Sequence, residues 1–145
     1  MKKERLKITP ATHLIFIKDG EVLLSRRFNT GWKDGFYSVV GGHLEEKETV
    51  LQATIREGKE EAGIDLKDDD LKFTHVIHRL SDEQRVDFFF LVKNWEGEIR
   101  NMEPDKCDDL NWFDLDKLPD NMVPYVRQAI ANIVKNIPYS QEGWG

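Results

Sequence analysis

Residues 41–64, GGHLEEKETVLQATIREGKEEAGI, form the most informative stretch of this chain. They run from two glycines through an acidic loop into a predicted helix that carries Glu57, Glu60 and Glu61. Side chains three and four positions apart are neighbours on a helix, about 5–6 Å apart at Cβ, so these carboxylates lie close together. Like charges at this density need a cation or a basic group nearby, and oxygen-only ligands are typical of sites for hard metal ions. A solvated acidic helix face is the simpler alternative.

The sequence also predicts where this helix begins and ends. Thr49 is a good N-cap, and Gln52 three positions later completes a capping box. Gly63 stands where a left-handed residue would end the helix. Between these caps, apolar and small residues recur at helical spacing, which predicts a stripe that packs on a core while the carboxylates face away from it. The stripe consists of Leu51, Ile55, Gly58 and Ala62.

The spacing of glycines and charges in this stretch resembles the Nudix box of the Nudix hydrolases. Gly42 is followed after five residues by Glu48, and after seven more by residues 56–64, REGKEEAGI. All charged positions and both glycines of this long pattern match, so chance is a poor explanation. Gly58 is the one departure, because the family usually has a bulky aliphatic residue there. A glycine inside a helix costs roughly 1 kcal/mol relative to alanine, so the departure concerns packing and not the ligands.

The resemblance implies that Glu57, Glu60 and Glu61 bind divalent cations with help from the Gly41 carbonyl. The expected ion is Mg²⁺, with Mn²⁺ as a substitute. An oxygen-only site suits Mg²⁺, which keeps several waters and takes further ligands from substrate phosphates. Such ions lower the barrier to hydrolysis of a pyrophosphate by bridging its oxygens and by orienting and acidifying water.

The resemblance assigns a structural role to the other box residues. Glu48 is expected to pair with Arg56 and brace the loop, and Gly42 and Gly63 belong to the same structural frame. The implied fold is α+β, an α/β/α sandwich with a mixed β-sheet between helices. The predicted element order of strands, helix, strands and a late helix agrees with it.

Outside the box, the pattern predicts strands, one more helix and two poorly structured ends. A hairpin is indicated by Asp19-Gly20, and a second by the polar turn at 81–84. A single domain is expected over residues 1–145, with 1–10 as a loose lead-in and 137–145 as a C-terminal tail. The predicted strands are 12–18, 21–27, 36–40, 71–80, 85–93 and 109–114, and the predicted second helix is 123–136.

Three residues outside the box are candidates for contact with substrate or metal. Arg27 is the second of two adjacent arginines, and enzymes of the MutT branch of the family carry a similar pair with the second near the nucleotide. Residues 101–104, Asn-Met-Glu-Pro, resemble a loop of MutT-like proteins whose glutamate reaches the metal cluster, and Glu103 is the matching residue. MutT relatives hydrogen-bond a purine with an asparagine before the last helix, which Asn121 matches. A surface arginine, a loop glutamate and a helix cap are the simpler alternatives.

These features predict hydrolysis of a nucleoside diphosphate linked to another group, by attack of water at phosphorus. The resemblance favours a nucleoside triphosphate, such as the oxidised purine nucleotide 8-oxo-dGTP, cleaved to monophosphate and pyrophosphate. ADP-ribose or another nucleotide sugar is the alternative substrate, and regulatory nucleotide binding without hydrolysis is the alternative of a different class. The expected catalytic residues are Glu57, Glu60 and Glu103, and either Glu57 or Glu103 is the general base.

The composition and net charge of the chain limit the classes of partner that we expect it to bind. The 145 residues are 39% hydrophobic and 33% charged, as in an ordinary globular domain. The net charge of −6 argues against non-specific binding to nucleic acid or anionic membrane, so a small nucleotide is the expected partner. With no signal peptide and no apolar run near 18 residues, the cytoplasm is the default location. The tail, with Tyr139 and Trp144, is expected either to dock on the body or to form a homodimer contact.

Overall fold

The computed structural model describes residues 3–145, which form nine strands and two α-helices. This is the predicted α+β composition. No helix in the described part of the chain is long and apolar enough to cross a membrane. In chain order the elements are β1 (Thr9–Ile15), β2 (Ile17–Lys18), β3 (Glu21–Arg27), β4 (Tyr37–Ser38), β5 (Val40–His43), α1 (Val50–Ala62), β6 (Leu71–Leu80), β7 (Gln84–Val92), β8 (Cys107–Asp114), α2 (Pro124–Val134) and β9 (Tyr139–Glu142).

The central sheet has five strands in the order β5-β1-β7-β6-β9 and is mixed, as predicted. Strand β1 is parallel to β7 and antiparallel to β5, while β6 is antiparallel to β7 and parallel to β9. Strand β3 forms a second sheet with β2, β4 and β8. The predicted turn joins β2 to β3, and both of its residues, Asp19 and Gly20, have the positive φ that a tight hairpin requires.

The two helices cover opposite faces of the central sheet. Adjacent residues of a strand point to opposite faces, so Leu14 packs with Ala62 of α1 while Ile15 packs with Val126 and Ile130 of α2. Neighbouring phenylalanines of β7 divide in the same way between the two clusters. The sandwich of helix, mixed sheet and helix is therefore the one predicted.

The ends of the chain are more ordered than the sequence indicated. Strand β1 begins at Thr9, so two residues of the expected lead-in pair with β7, while residues 1 and 2 lie outside the described residues. The tail contains β9, which was not predicted. The ring nitrogens of His75 lie 2.7 Å from the Ile137 carbonyl oxygen and 2.8 Å from Ser140 Oγ, and Trp144 Nε1 donates to the His78 carbonyl at 2.9 Å. The tail is thus docked on the body.

The segment expected as one strand at 36–40 forms two. Tyr37 and Ser38 pair with β3, and the chain then turns at Val39 and joins the central sheet as β5. This crossing from one sheet to the other brings the two glycines next to β1. The last predicted strand starts two residues early, at Cys107.

Helix α1 has the predicted caps, but its orientation differs from the prediction. Thr49 and Gln52 form the capping box, and Gly63 ends the helix with a φ of 71°. Glu57 is buried, however, whereas Leu51 and Ile55 of the expected stripe are only half-buried. The expectation that all three carboxylates face away from the core was wrong for Glu57.

Gly58 leaves room that other residues fill. A Cβ at this position would lie 3.0 Å from Leu66 Cδ1 and 3.1 Å from Leu14 Cδ2. Two leucine side chains therefore fill the space that a bulky aliphatic residue usually fills at this position of the resembling box. This accounts for the unusual glycine in the middle of α1.

Replacing Gly58 with larger residues should test this packing through the free energy of unfolding. Gly58→Ala is expected to change the free energy of unfolding by less than about 1 kcal/mol, because better helix propensity offsets a small displacement of the leucine methyls. Gly58→Ile is expected to lose about 1–3 kcal/mol through overpacking. Urea denaturation measures both values. Equal stability of Gly58→Ile and the wild type would contradict the packing account.

Candidate active site

Two consecutive glycines of β5 allow close contacts on both of its faces. Gly41 and Gly42 lie opposite His13 and Thr12 of β1. A Cβ on Gly41 would collide with the Thr12 carbonyl oxygen, and one on Gly42 would lie 2.7 Å from Glu57 Oε1. The absence of side chains therefore lets β5 approach β1 and lets the Glu57 carboxylate reach the strand.

Arg56 is the centre of the charge network on α1. Its Nε donates to Glu48 Oε2 at 2.7 Å and its Nη2 to Glu48 Oε1 at 3.0 Å, a bidentate ion pair. Its Nη1 donates to Glu57 Oε1 at 2.7 Å and to Glu60 Oε2 at 3.1 Å. The hydrogen bond from Arg56 lowers the pKa of Glu48. One guanidinium thus holds three carboxylates and ties the loop to the helix.

Glu61 lies at the buried end of this cluster. It accepts a hydrogen bond from the Gly41 N–H at 3.2 Å. Burial, followed by the neighbouring Glu57 and Glu103, raises the pKa of Glu61 far above its ordinary value. Burial and the charges of Glu57 and Glu60 also raise the pKa of Glu103. Carboxyl groups are therefore crowded at this site, and a bound cation would favour their ionised forms.

Glu103 reaches the cluster because its loop is hydrogen-bonded to the end of α1. The N–H groups of Arg100 and Met102 donate to the carbonyls of Ala62 and Glu61 at 3.0 Å and 3.2 Å. Asn101 accepts from the Glu103 N–H at 3.1 Å. These contacts fix the loop of residues 101–104 beside the helix carboxylates.

The donor set fits a hard divalent cation in its chemistry. Carboxylate oxygens and a backbone carbonyl are the ligands that such ions take, and the shared negative charge favours a cation. Within residues 3–145, however, no group of three or more His, Cys, Asp or Glu side chains is arranged closely enough to hold a metal ion. Hydrogen bonds from Arg56 hold one oxygen each of Glu57 and Glu60.

Two adjoining cavities lie near the cluster, and only the smaller is bordered by its carboxylates. The smaller, of about 90 Å³, is bordered by Glu61 and Glu103, and the larger has a volume of about 580 Å³. A wider cavity of about 700 Å³ lies past the end of α1 and includes none of the clustered carboxylates. The residues common to the two adjoining cavities are Arg27, Ser38, Val39 and Gly41.

The structure brings Arg27 to the cavities but leaves Asn121 outside them. Arg27 donates from Nε to the Trp32 carbonyl at 2.7 Å and from Nη2 to Thr30 Oγ1 at 2.9 Å, and its guanidinium lies 5.0 Å from the centre of the Trp32 ring. Asn121 is exposed, and its side-chain nitrogen donates to the Gly35 carbonyl at 2.8 Å. Asn121 borders neither of the adjoining cavities.

Sequence reasoning missed three residues of the larger cavity. His13, Arg79 and Asp87 are buried polar side chains that line it. One signal was available, since Asp87 is a lone acid next to the apolar run FFFLV of its strand. A buried charge of this kind is rare without a partner.

The box, the surrounding fold and the adjoining cavities can now be compared with known proteins. A family model described as "NUDIX domain" matches residues 7–133. The chain belongs to the Nudix family. Nudix hydrolases generally use divalent metal ions, which agrees with the oxygen donors of this site.

This Nudix protein resembles characterised relatives in sequence. It is 37% identical over 99 residues to an 8-oxo-dGTP diphosphatase from Proteus vulgaris, a match that covers 68% of this chain and 86% of that protein. It is 33% identical over 125 residues to an ADP-ribose pyrophosphatase from Methanocaldococcus jannaschii, covering 82% and 70% respectively.

It also resembles a solved MutT NUDIX hydrolase from Burkholderia pseudomallei. The TM-score is 0.79 at 28% identity, and the match covers 88% of this chain and 98% of that one. As predicted, the protein is a Nudix hydrolase of the class that acts on acid anhydrides in phosphorus-containing substrates.

The bidentate pair between Glu48 and Arg56 should make stability depend on pH. Because the hydrogen bond from Arg56 holds the folded-state pKa of Glu48 below the ordinary glutamate value of about 4.5, the contribution of the pair is complete above that pH. It is lost as the pH falls through the lower folded-state value. The melting temperature of Glu48→Gln should therefore lie below that of the wild type at pH 7, and the difference should shrink in acid.

Thermal melting followed by circular dichroism between pH 3 and pH 7 measures this difference. The matched control is Glu46→Gln, which changes an exposed glutamate of the same loop. A difference between wild type and Glu48→Gln that stays constant across this range would refute the electrostatic origin of the effect.

Proposed function

We propose that this protein is a Mg²⁺-dependent pyrophosphohydrolase that converts a nucleoside triphosphate to its monophosphate and pyrophosphate. The observation that carries this proposal is the arrangement of carboxylates and cavities. A small cavity bordered by Glu61 and Glu103 shares Arg27 and Gly41 with a cavity of about 580 Å³, a volume in the usual range for small-molecule sites. A phosphate chain can then reach the carboxylates while the nucleoside occupies the larger space.

The proposed metal ligands are Glu57, Glu60 and Glu61 with the Gly41 carbonyl, joined by Glu103. A divalent ion bound by such groups neutralises phosphate charge and lowers the pKa of bound water. Such a cation would also favour the ionised forms of these crowded carboxyl groups.

The other side chains of the site have separate proposed roles in orienting the carboxylates and in contacting the nucleotide. Arg56 orients Glu57 and Glu60 through its hydrogen bonds, and Glu48 holds Arg56 in place. Arg27 borders both cavities and is the proposed contact to the nucleotide. Asn121 is the proposed base contact of the sequence analysis, although its side-chain nitrogen is engaged by Gly35.

Glu103 is the better placed of the two proposed general bases. Glu57 already accepts a hydrogen bond from Arg56, whereas no group within residues 3–145 donates to the Glu103 carboxylate. In the proposed step the water oxygen bonds to phosphorus, the bridging P–O bond breaks, and the water proton passes to Glu103.

ADP-ribose is the second candidate substrate. The ADP-ribose pyrophosphatase of M. jannaschii matches a larger share of this chain than the 8-oxo-dGTP diphosphatase does. Both substrates contain a pyrophosphate link, so the same carboxylates would serve. Their products differ: the triphosphate yields pyrophosphate, whereas ADP-ribose yields AMP and ribose 5-phosphate.

The proposal extends to partners and location. Small nucleotides, and not nucleic acid or anionic membrane, are the expected partners, because a net charge of −6 disfavours non-specific binding to extended anionic surfaces. The cytoplasm, where nucleoside triphosphates are abundant, is the proposed location. Light scattering on the purified protein distinguishes a monomer from the homodimer that the sequence leaves open.

A substrate panel with product analysis tests the reaction. The panel consists of the four deoxynucleoside triphosphates, 8-oxo-dGTP and ADP-ribose, each with Mg²⁺, with Mn²⁺ and with EDTA. We expect hydrolysis that needs the metal ion and releases pyrophosphate. Release of AMP from ADP-ribose would favour the second candidate, and nucleotide binding without hydrolysis would favour a regulatory domain.

Glu61→Gln tests the metal site. Removing one carboxylate charge is expected to lower kcat/KM by at least about 100-fold, which corresponds to about 2.7 kcal/mol of transition-state stabilisation. The exposed Glu46→Gln variant serves as the matched control and should retain activity. Full activity of a folded Glu61→Gln variant would exclude the assignment of Glu61 as a ligand.

A further inference from the structure

A buried polar network lies on the α2 face of the central sheet, in the larger cavity. The strand register brings His13, Arg79 and Asp87 to this face, because Asp87 is opposite Ile77 of β6 and two positions before Phe89, the partner of His13. Only 6% of His13, 7% of Arg79 and none of Asp87 is exposed. All three side chains border the cavity of about 580 Å³.

Asp87 uses both of its oxygens inside this network. Oδ1 lies 2.9 Å from His13 Nε2, and Oδ2 accepts from Arg79 Nε at 3.0 Å. Burial raises the pKa of Asp87, but the hydrogen bond from His13 and the charge of Arg79 outweigh it, and the net shift is downward. The carboxylate is therefore ionised, and it balances the charge of Arg79 within the protein.

Arg79 has donors that the protein does not use. Within residues 3–145 only its Nε has a hydrogen-bond partner. The only fully buried side-chain nitrogen or oxygen without a partner in that range is His13 Nδ1, so the two terminal nitrogens of Arg79 keep access to solvent through the cavity. The guanidinium lies 3.9 Å from the centre of the Tyr125 ring, and this stacking together with Asp87 fixes its direction.

The surroundings of Arg79 suit a flat ligand group, and Arg27 and Arg85 border the same cavity. Because Asp87 already neutralises Arg79, the pair offers N–H donors without net positive charge. The aromatic rings of Trp32 and Tyr125 also line the cavity, with ring centres 6.4 Å apart. Aromatic surface beside a planar pair of donors matches the flat face and the edge of a nucleobase.

We propose that Arg79 is a specificity-determining residue, which binds a nucleobase through two adjacent hydrogen-bond acceptors. This rests on the proposed function, since it assigns the base end of the same nucleotide. Guanine offers such a pair at O6 and N7, the edge that arginine binds in a bidentate manner in nucleic acid complexes, and cytosine offers one at O2 and N3. Adenine and thymine have no two adjacent acceptors. Guanine oxidised at C8 carries a hydrogen on N7 and loses the pair.

The first test uses the unaltered protein and compares kcat/KM for dGTP, dCTP, dATP and dTTP. We expect dGTP or dCTP to exceed dATP and dTTP by about 10- to 100-fold, the discrimination that one bidentate contact provides. If dGTP has the highest kcat/KM, the values for 7-deaza-dGTP and 8-oxo-dGTP should be lower by a similar factor, because each lacks the N7 acceptor. If dCTP has the highest value, the contact is to O2 and N3. Equal values for the four nucleotides, or a preference for dATP or dTTP, would overturn the proposal.

The second test is Arg79→Lys, which keeps the positive charge beside Asp87 but removes the planar pair of donors. The preference is expected to fall to less than about 3-fold, because kcat/KM for the preferred nucleotide falls by a larger factor than kcat/KM for dATP. Arg127→Lys, on α2 and outside the cavity, is the matched control and should retain the preference. A preference that survives in a folded Arg79→Lys variant would show that Arg79 is only a structural ion-pair partner.

Failure of this proposal can be separated from failure of the proposed reaction. Calorimetric titration of the protein with dGMP, dCMP, dAMP and dTMP measures base recognition without hydrolysis. Selective binding of dGMP or dCMP without turnover of any triphosphate would support the role of Arg79 and reject the reaction. Turnover with no base preference in either assay would support the reaction and reject the role of Arg79. If Arg79→Lys fails to fold, the nucleotide comparisons on the unaltered protein decide between these outcomes.

Discussion

The approach of helix α1 to strand β5 is the constraint on which the site depends. The Glu57 carboxylate can lie against this strand because Gly42 has no side chain, since a Cβ there would lie 2.7 Å from Glu57 Oε1. The preceding glycine, Gly41, likewise has no side chain to separate β5 from β1. Its N–H also donates to Glu61. Two small residues therefore determine that acidic side chains of α1 meet the edge of the sheet. A Cβ at Gly41 would meet the backbone of Thr12 and force β5 away from β1, whereas a Cβ at Gly42 would displace the Glu57 carboxylate.

This proximity brings together carboxyl groups that repel one another when ionised. Hydrogen bonds from the protein offset only part of that repulsion. Arg56 holds Glu48, Glu57 and Glu60 by direct hydrogen bonds. Glu61 and Glu103 lie outside its reach, and the raised pKa of each records the burial and the like charges around it. An excess of buried negative charge is costly unless a cation accompanies it. We propose that a divalent cation bound with the nucleotide would relieve this repulsion.

The two faces of β5 divide the proposed chemistry. The α1 face carries the carboxylates, whereas the α2 face carries the cavity with Arg79, Asp87 and Tyr125. Because β5 is the edge strand of the sheet, no other strand of residues 3–145 continues the sheet on its outer side. A nucleotide can therefore extend from one face to the other past Gly41. Recognition and hydrolysis then use different elements, so each can vary without the other.

Local features of the fold were predictable from the sequence. The caps of α1, the Asp19-Gly20 turn and β6 were correctly predicted because each depends on residues within a few positions of one another. The spacing of the box residues indicated the family for the same reason. Strand β9 was missed, because a short polar edge strand has no periodic pattern and is stabilised by pairing with β6.

By itself, the sequence determined the class of fold, the ends of α1 and the chemical character of the acidic cluster. The tertiary structure decided which face of α1 is buried, that Asn121 points to Gly35 and not into the cavity, and that Glu103 reaches the carboxylates. It also decided the contact between His13 and Asp87, which are 74 positions apart in the chain. The physical reason is that periodicity and capping act between near neighbours, whereas burial and ion pairing depend on how distant segments pack.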